Sequence, residues 1–522
     1  MNEKLSGAYY TPFETVEFVY KYLIEQQKFP KTLLEPSMGD GRFIDRFMYD
    51  SNIDTIVGIE LDDKKTFELS NKNYPAKISV VNSDFLLYAE TCIDKFQLII
   101  GNPPYINIRN MKKDFLEKAK FICKTLDLKD NLIKNAWVAF VLASVKLLDS
   151  RGVIFFVLPT EFLQVKYAEK LRGFIEGKFN TIHILSFNER MFPEIEQEAC
   201  LVYLTNDEKG LPYISYRQYE KLSSDTYLFE SRIERNKPLK KWSNAILSDH
   251  DIDFLRTAAS AYDRIGDIAE SAPGIVTAAN NKFILTKDEV SKYKCNQYVI
   301  PVISKGAMVR NHFEINNELI SRIANEGKRI YLLNLAQTVE SELPAPLRKY
   351  LSDVAKIERN GVEIQKGYKC SKRKPWYAVP IVKSGSVVFF KRYDLCPRIS
   401  TNPSNIHTTD IAYNLQLHEG IDSESLVFCF YNSLTIAQCE FEGRYYAGGV
   451  LELIPSEFQS LHIPYRHIEL TDIRKLEEMF SKCESLEAII EFVNSKTLAL
   501  DLSVSEIKKL DSIRKQLLRR RR

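Results

Sequence analysis

An asparagine, two prolines and a tyrosine close the apolar run around Phe96, Leu98, Ile99 and Ile100, giving Asn102-Pro103-Pro104-Tyr105. The run reads as a buried strand, which puts these four residues just past its carboxyl end, where open α/β sheets bind their ligands. Two consecutive prolines fix two φ angles and remove two backbone donors, so the main-chain groups exposed at the turn are carbonyl acceptors. Acceptors call for a donor on the substrate. The Asn102 side-chain oxygen beside such a carbonyl can take both hydrogens of an amino group, and Tyr105 adds a flat face on which a base can stack. The combination reads as a clamp for a planar amine. A proline turn that merely ends a core strand would look the same in isolation, so the surrounding chain has to decide.

The elements that must position such a clamp lie upstream. Gly7-Ala8-Tyr9-Tyr10-Thr11-Pro12 is a polar turn into a helix, with Thr11 as N-cap, Pro12 at the first helical position, and Val16, Val19, Tyr20 and Leu23 at helical spacing. Its backbone donors and helix start suit a carboxylate. Thr32-Leu33-Leu34-Glu35-Pro36-Ser37-Met38-Gly39-Asp40-Gly41 then reads as a strand and a glycine loop, followed by a helix carrying Phe43, Ile44 and Phe47. Gly39 and Gly41 allow positive φ and close approach of a ligand to backbone. This is not the G-x-G-x-x-G fingerprint, and with Glu35 and Asp40 present a cationic guest fits better than a phosphate. A second strand, Thr55 to Glu60, ends in an acid followed by Leu61, the position from which a carboxylate grips a ribose diol in doubly wound folds. A third ends at Ser83-Asp84-Phe85, where Asp84 can accept from an adenine amino group and Phe85 can line its ring. Four strands in succession, each delivering a polar residue at its carboxyl end, argue a parallel sheet.

The order Tyr10-Thr11-Pro12, Glu35-Pro36-Ser37-Met38-Gly39-Asp40-Gly41, Glu60, Asp84-Phe85, Asn102-Pro103-Pro104-Tyr105 resembles the gamma class of adenine-specific DNA methyltransferases, the TaqI and Eco57I type of restriction-modification methylase. The likeness continues through Gly152 to Thr160, Leu171 to Ile175, and Phe192-Pro193 with the strand Ala199 to Leu204, covering about the first 210 residues. It implies S-adenosylmethionine as methyl donor, with Glu60 on the ribose, Asp84 on the adenine amino group and the Tyr10-Thr11 turn on the methionine carboxylate. Glu35, Pro36, Ser37, Gly39, Gly41, Leu61, Phe85 and Asn102 complete the implied donor pocket. The implied acceptor is the 6-amino group of an adenine flipped out of double-stranded DNA, held by the Asn102 side chain and the Pro103 carbonyl, with Pro104 stiffening the turn, and stacked by Tyr105 and Phe192. Glutamine-methylating and some RNA-methylating enzymes resemble the Asn-Pro-Pro-Tyr element alone, and they remain alternatives, as does a non-catalytic DNA-recognition module.

Composition sets the wider frame. The 522 residues carry a formal net charge of +3 and should form two or three domains, so a nucleic-acid surface must be a local patch. Nine scattered cysteines without a C-x-x-C pair argue against a disulfide framework and a thiolate zinc site, and no metal is expected. No apolar run has membrane-span length and the first residues open no signal peptide, so a cytoplasmic protein is expected. The first motif lies so near Met1 that no amino-terminal cleavage domain is expected, whereas a separate cognate restriction endonuclease is compatible. The expected fold class is α/β: a class I S-adenosylmethionine-dependent methyltransferase (Rossmann-like) domain over 1–240 and a mixed α/β DNA target-recognition domain over 241–522 that ends in helices. The segment from Asn206 to Ser248 reads as the domain connection, and Gly274 to Leu285 resembles the start of recognition domains in Eco57I-type enzymes. Basic residues interleaved with aromatics mark Lys369, Lys372, Arg373, Lys374, Trp376, Lys391, Arg392 and Arg398 as DNA contacts. Cys483 is expected on the packed face of a tail helix, and Arg519 to Arg522 as an exposed cationic cluster.

Overall fold

The computed structural model describes residues 10–72, 74–192, 198–206, 211–235, 238–359, 361–446 and 448–521. The chain divides into two compact units, 1–252 with 446–448 and 519–522, and 253–445 with 449–518.

The first unit is built on β1 (Thr32–Glu35), β2 (Thr55–Glu60), β3 (Ile78–Asn82), β4 (Phe96–Gly101), β5 (Leu148–Pro159), β6 (Thr181–Phe187), β7 (Ala199–Thr205), β8 (Tyr213–Tyr219) and β9 (Phe229–Glu234). They form one sheet in the order β3-β2-β1-β4-β5-β7-β6-β8-β9. Strands β1 to β5 pair in parallel, and β7 is antiparallel to both neighbours, β5 and β6. A seven-stranded core with this order and one reversed strand is the class I methyltransferase fold anticipated above. Order reverses beside β1, so the carboxyl ends of β1 and β4 flank a switch point where a ligand crevice opens.

The first helix, α1 (Phe13–Glu25), starts one residue later than Thr11 and Pro12 suggested. Pro12 has an extended ψ of 145° and occupies the cap, its carbonyl accepting from Thr15 and Val16 at 3.0 and 3.3 Å. Residues Gly7 to Tyr9 of that turn lie outside the described residues.

The segment expected to be a polar connection supplies β8 and β9 instead, β8 pairing in parallel with β6 and β9 antiparallel with β8. Its polarity hid the strands. Ser215 and Arg217 both donate to Glu230 across the pair, at 2.9 and 2.7 Å, while Tyr213, Ile214 and Tyr216 are buried. A carboxylate on the neighbouring strand satisfies the polar positions, so the strand shows little apolar contrast to a sequence reader.

The second unit is mixed α/β. Ala269–Pro273, Ala412–Leu417, Val387–Phe390 and Arg398–Thr401 form one antiparallel sheet. Ile284–Leu285, Tyr331–Leu333, Val299–Ile303 and His407–Thr408 form another. Helices Ser423–Phe430, Leu470–Ser481 and Leu486–Lys496 join a core that includes Phe389, Tyr413 and Phe458. As expected of the tail, Ile473, Leu476, Ile490, Leu510, Ile513 and Leu517 are buried. Cys483 is not: it is exposed in the turn after the helix, at φ 56°. The terminal arginines also depart from expectation. Arg520 and Arg521, which belong to the first unit, are only 4 % and 9 % exposed, and Arg520 donates to Asn244 Oδ1 at 2.7 Å; Arg522 lies outside the described residues. No helix among the described residues is long and apolar enough to cross a membrane.

Candidate active site

The glycine loop after β1 is held by three neighbours. The Met38 amide donates to the Ile59 carbonyl at 2.8 Å, the Gly39 amide to Glu60 Oε2 at 2.8 Å, and Ser37 Oγ to the Asn102 carbonyl at 3.1 Å. Gly39 and Gly41 have φ of +60° and +85°. A Cβ on Gly41 would come within 2.9 Å of both Leu69 Cδ2 and Tyr74 Oη, so only glycine fits there without strain. Glu60 also accepts the Asp62 amide at 2.9 Å, so each of its oxygens is anchored by one backbone donor and keeps a lone pair for a ligand hydroxyl.

These ties bring six of the predicted residues, Tyr10, Thr11, Glu35, Ser37, Gly39 and Asn102, around one cleft. Glu35 lines it, 2 % exposed, with Oε2 buried and accepting no hydrogen bond from the described residues. Burial pushes the Glu35 carboxyl well up, and the nearby charge of Asp40 adds to the shift. Sequence reasoning passed over Arg42, which also lines the cleft. Its guanidinium donates to the Thr11 carbonyl at 2.8 Å and pairs with Asp40 at 2.7 Å, holding the segment before α1 against the glycine loop. The available signal was an arginine at a helix start directly after an acid-glycine pair.

On the other side stands the Asn-Pro-Pro-Tyr corner. Asn102 and Tyr105 are half-buried and Pro103 is buried. Tyr105 Oη donates to the Val157 carbonyl of β5 at 3.2 Å, and burial raises its hydroxyl well above the usual range, so it stays a neutral donor. The chain beyond the corner is pinned: Ala136 donates to the Ile106 carbonyl at 2.9 Å and Ile108 to the Lys134 carbonyl at 3.0 Å. The helix that follows, Ala136–Leu147, is almost wholly buried, and such a support gives the corner a rigid base.

Other predicted residues serve the fold. Asp84 caps the helix after β3, accepting the Leu86 amide at 2.8 Å, and its second oxygen pairs with Lys118 at 3.1 Å. Phe85 is 3 % exposed with its ring 5.0 Å from Phe140, so it belongs to the core and does not offer a face to an adenine. Phe192 is 7 % exposed inside the apolar cluster with Met191 and Leu201, so its ring is not open to a base as the stacking role requires; Pro193 lies outside the described residues. Pro36 is buried, whereas Leu61 is 69 % exposed beside Glu60.

In the second unit the predicted DNA contacts divide. Lys369, Lys372 and Lys374 are exposed. Arg373 instead donates to the carbonyls of Thr277 and Val276 at 3.0 and 2.8 Å, and Arg398 to the Gly306 carbonyl at 2.9 Å. Lys391 and Arg392 both pair with Glu452, at 3.9 and 3.0 Å. Trp376 is half-buried, tilted against Phe283 with centroids 6.0 Å apart. Of these, Arg373 and Arg398 are part-exposed and tied to backbone carbonyls of neighbouring segments.

The fold and cleft together define a class I methyltransferase, and comparison with known proteins narrows the class. Residues 39–192 match the Eco57I restriction-modification methylase family, and residues 239–498 match the C-terminal domain of the Type II methyltransferase M.Eco57I. The chain belongs to the TaqI/Eco57I type of restriction-modification methylase. It is 22 % identical over 487 residues to Type II methyltransferase M.AccI of Acinetobacter calcoaceticus, spanning 87 % of this chain and 85 % of that one. It is 21 % identical over 474 residues to Type II methyltransferase M.XamI of Xanthomonas campestris pv. amaranthicola, spanning 88 % and 85 %. Among solved structures, the restriction-modification enzyme MmeI in complex with DNA shares the fold at a TM-score of 0.58 and 12 % identity, over 98 % of this chain and 75 % of that one.

Proposed function

We propose that the protein transfers a methyl group from S-adenosylmethionine to the 6-amino group of an adenine flipped out of double-stranded DNA, as the modification component of a restriction-modification system. The observation that supports this most is the shared cleft: a glycine loop bearing a buried acid at one wall and Asn102 at the other, tied through Ser37. The residues fit the cofactor. An acid with no cationic partner among the described residues suits a positively charged ligand, Gly39 leaves backbone open at the wall, and Glu60 keeps acceptor capacity for a ribose diol. When bound, S-adenosylmethionine supplies an activated methyl group on a sulfonium.

The chain's own part is positioning. The amine of adenine is a weak nucleophile because its lone pair is delocalised into the ring. Hydrogen bonds from its two hydrogens to Asn102 Oδ1 and the Pro103 carbonyl favour a more tetrahedral nitrogen, with the lone pair aimed into the cleft. The corner carries no strong base, so the proton leaves the amine after transfer. Flipping the base costs a few kcal/mol, and Tyr105 beside the corner recovers part of it by stacking. Residues 1–240 hold this catalytic machinery, and 241–522 read the DNA site, with Lys369, Lys372 and Lys374 on phosphate. The partner is double-stranded DNA in the cytoplasm, with a separate restriction endonuclease completing the system.

Incubation with labelled S-adenosylmethionine and genome-scale DNA, followed by sequencing of modified positions, tests the reading. The expected result is N6-methyladenine confined to one sequence context. Label on cytosine, on RNA or on protein alone would overturn it.

A further inference from the structure

Glu35 differs from every other acid at the cleft in what surrounds it. Asp40 is paired with Arg42 at 2.7 Å. Asp45 accepts from Tyr74 at 2.6 Å and pairs with Lys72 at 2.8 Å. Glu60 accepts the amides of Gly39 and Asp62. Each of these carboxylates has donors that stabilise its charge. Glu35 lines the cleft and has the Ile44 amide near its carboxyl, but Oε2 is buried and accepts nothing from the described residues. Among the described residues no lysine or arginine bridges to it, and the charges that face it, from the glycine loop, the helix after it and β2, are those of Asp40, Asp45 and Glu60. Tyr74 also senses Glu35, and it is neutral because burial and Asp45 hold its hydroxyl protonated. A carboxylate in such a place is destabilised by lost hydration and by three like charges, while a carboxylic acid is not.

We infer that Glu35 carries a proton while the cleft holds only solvent, and that a cationic ligand entering the cleft displaces this proton to bulk water. The inference rests on the cofactor reading above and adds a property to it. The balance is simple: the carboxyl O–H bond breaks, the proton goes to buffer, and the ligand's positive charge takes over the neutralisation of Glu35. Burial and the neighbouring acids raise the carboxyl well above its usual range, which agrees with the geometry. The sign follows. Because the free protein binds the proton and the complex does not, cofactor affinity rises with pH until Glu35 is ionised in the free protein as well, by up to about tenfold per pH unit. Either of two positive groups of the donor, its α-ammonium or its sulfonium, has the required chemistry.

Titration calorimetry of the full chain at pH 7, in buffers of different ionisation enthalpy, tests this directly. S-adenosylmethionine binding should release close to one proton, and Glu35→Gln should bind with no such release and with an affinity flat in pH. S-adenosylhomocysteine, which keeps the ammonium and lacks the sulfonium, separates the two sources: release with both ligands assigns the ammonium, release with S-adenosylmethionine alone the sulfonium. Difference infrared spectroscopy of the wild-type chain should show a protonated carboxyl band that disappears on binding, a readout independent of whether Glu35→Gln folds. Tight binding with no proton release, or with the same release from Glu35→Gln, overturns the proposal and leaves the cofactor assignment standing. Failure of S-adenosylmethionine to bind at all overturns both.

Discussion

The strand-end cleft of the first unit and the basic segments of the second were both predicted from clusters of chemically suggestive residues, and they fared differently. In the first unit the residues come from the ends of successive strands and meet at one crevice: Glu35 from β1, Glu60 from β2 through Gly39, and Asn102 from β4. In the second, neighbours in sequence point to different tasks. Lys372 is exposed, yet Arg373 beside it is tied to Thr277 and Val276. A parallel sheet converts sequence order into position, because every strand of one direction ends on the same edge. A run of charge carries no such rule, and where each side chain goes depends on which carbonyl or carboxylate the distant chain places nearby.

If that contrast is sound, substitutions in the cleft should change chemistry and those at the braced residues should change stability. The largest expected effect is at Asn102. Asn102→Ala should lower methyl transfer by about 10²–10³-fold or more, the scale of losing a group that acts on the reacting atoms, with S-adenosylhomocysteine affinity changed less than about threefold. Transfer within a factor of a few of wild type would break the comparison at its stronger side. Phe192→Ala comes next, and its effect should be on folding: about 3–5 kcal/mol in urea denaturation, as for other buried phenylalanines. A loss of DNA binding at unchanged stability would restore the stacking role that its burial argues against.

Smaller effects sharpen the second side. Arg398→Ala should cost about 1.5–3 kcal/mol through the unsatisfied Gly306 carbonyl, while the salt dependence of DNA affinity keeps its slope. Replacing Lys369, Lys372 and Lys374 together by alanine should do the opposite, leaving the melting temperature nearly unchanged and reducing the slope of log affinity against log salt by up to about 0.9 for each phosphate no longer neutralised by a lysine. An unchanged slope would move the DNA surface elsewhere on the unit.

By itself the sequence determined the alternation that makes a parallel sheet, the positive φ of Gly39 and Gly41 in the loop after β1, and the order in which acids and the Asn-Pro-Pro-Tyr corner arrive at strand ends. These are local matters of periodicity and backbone geometry, carried by a few adjacent residues. Tertiary structure alone decided that Phe85 and Phe192 are core, that Arg520 is buried against Asn244, and that the polar stretch after β7 is two strands sharing Glu230. It also decided that Arg42 ties the Thr11 carbonyl down and that Glu35 meets no cation among the described residues. The physical reason is common to all of them. Whether an aromatic ring is covered, or a charge has a partner, depends on groups far away in the chain, and a residue's type states what it can bond with but not who arrives.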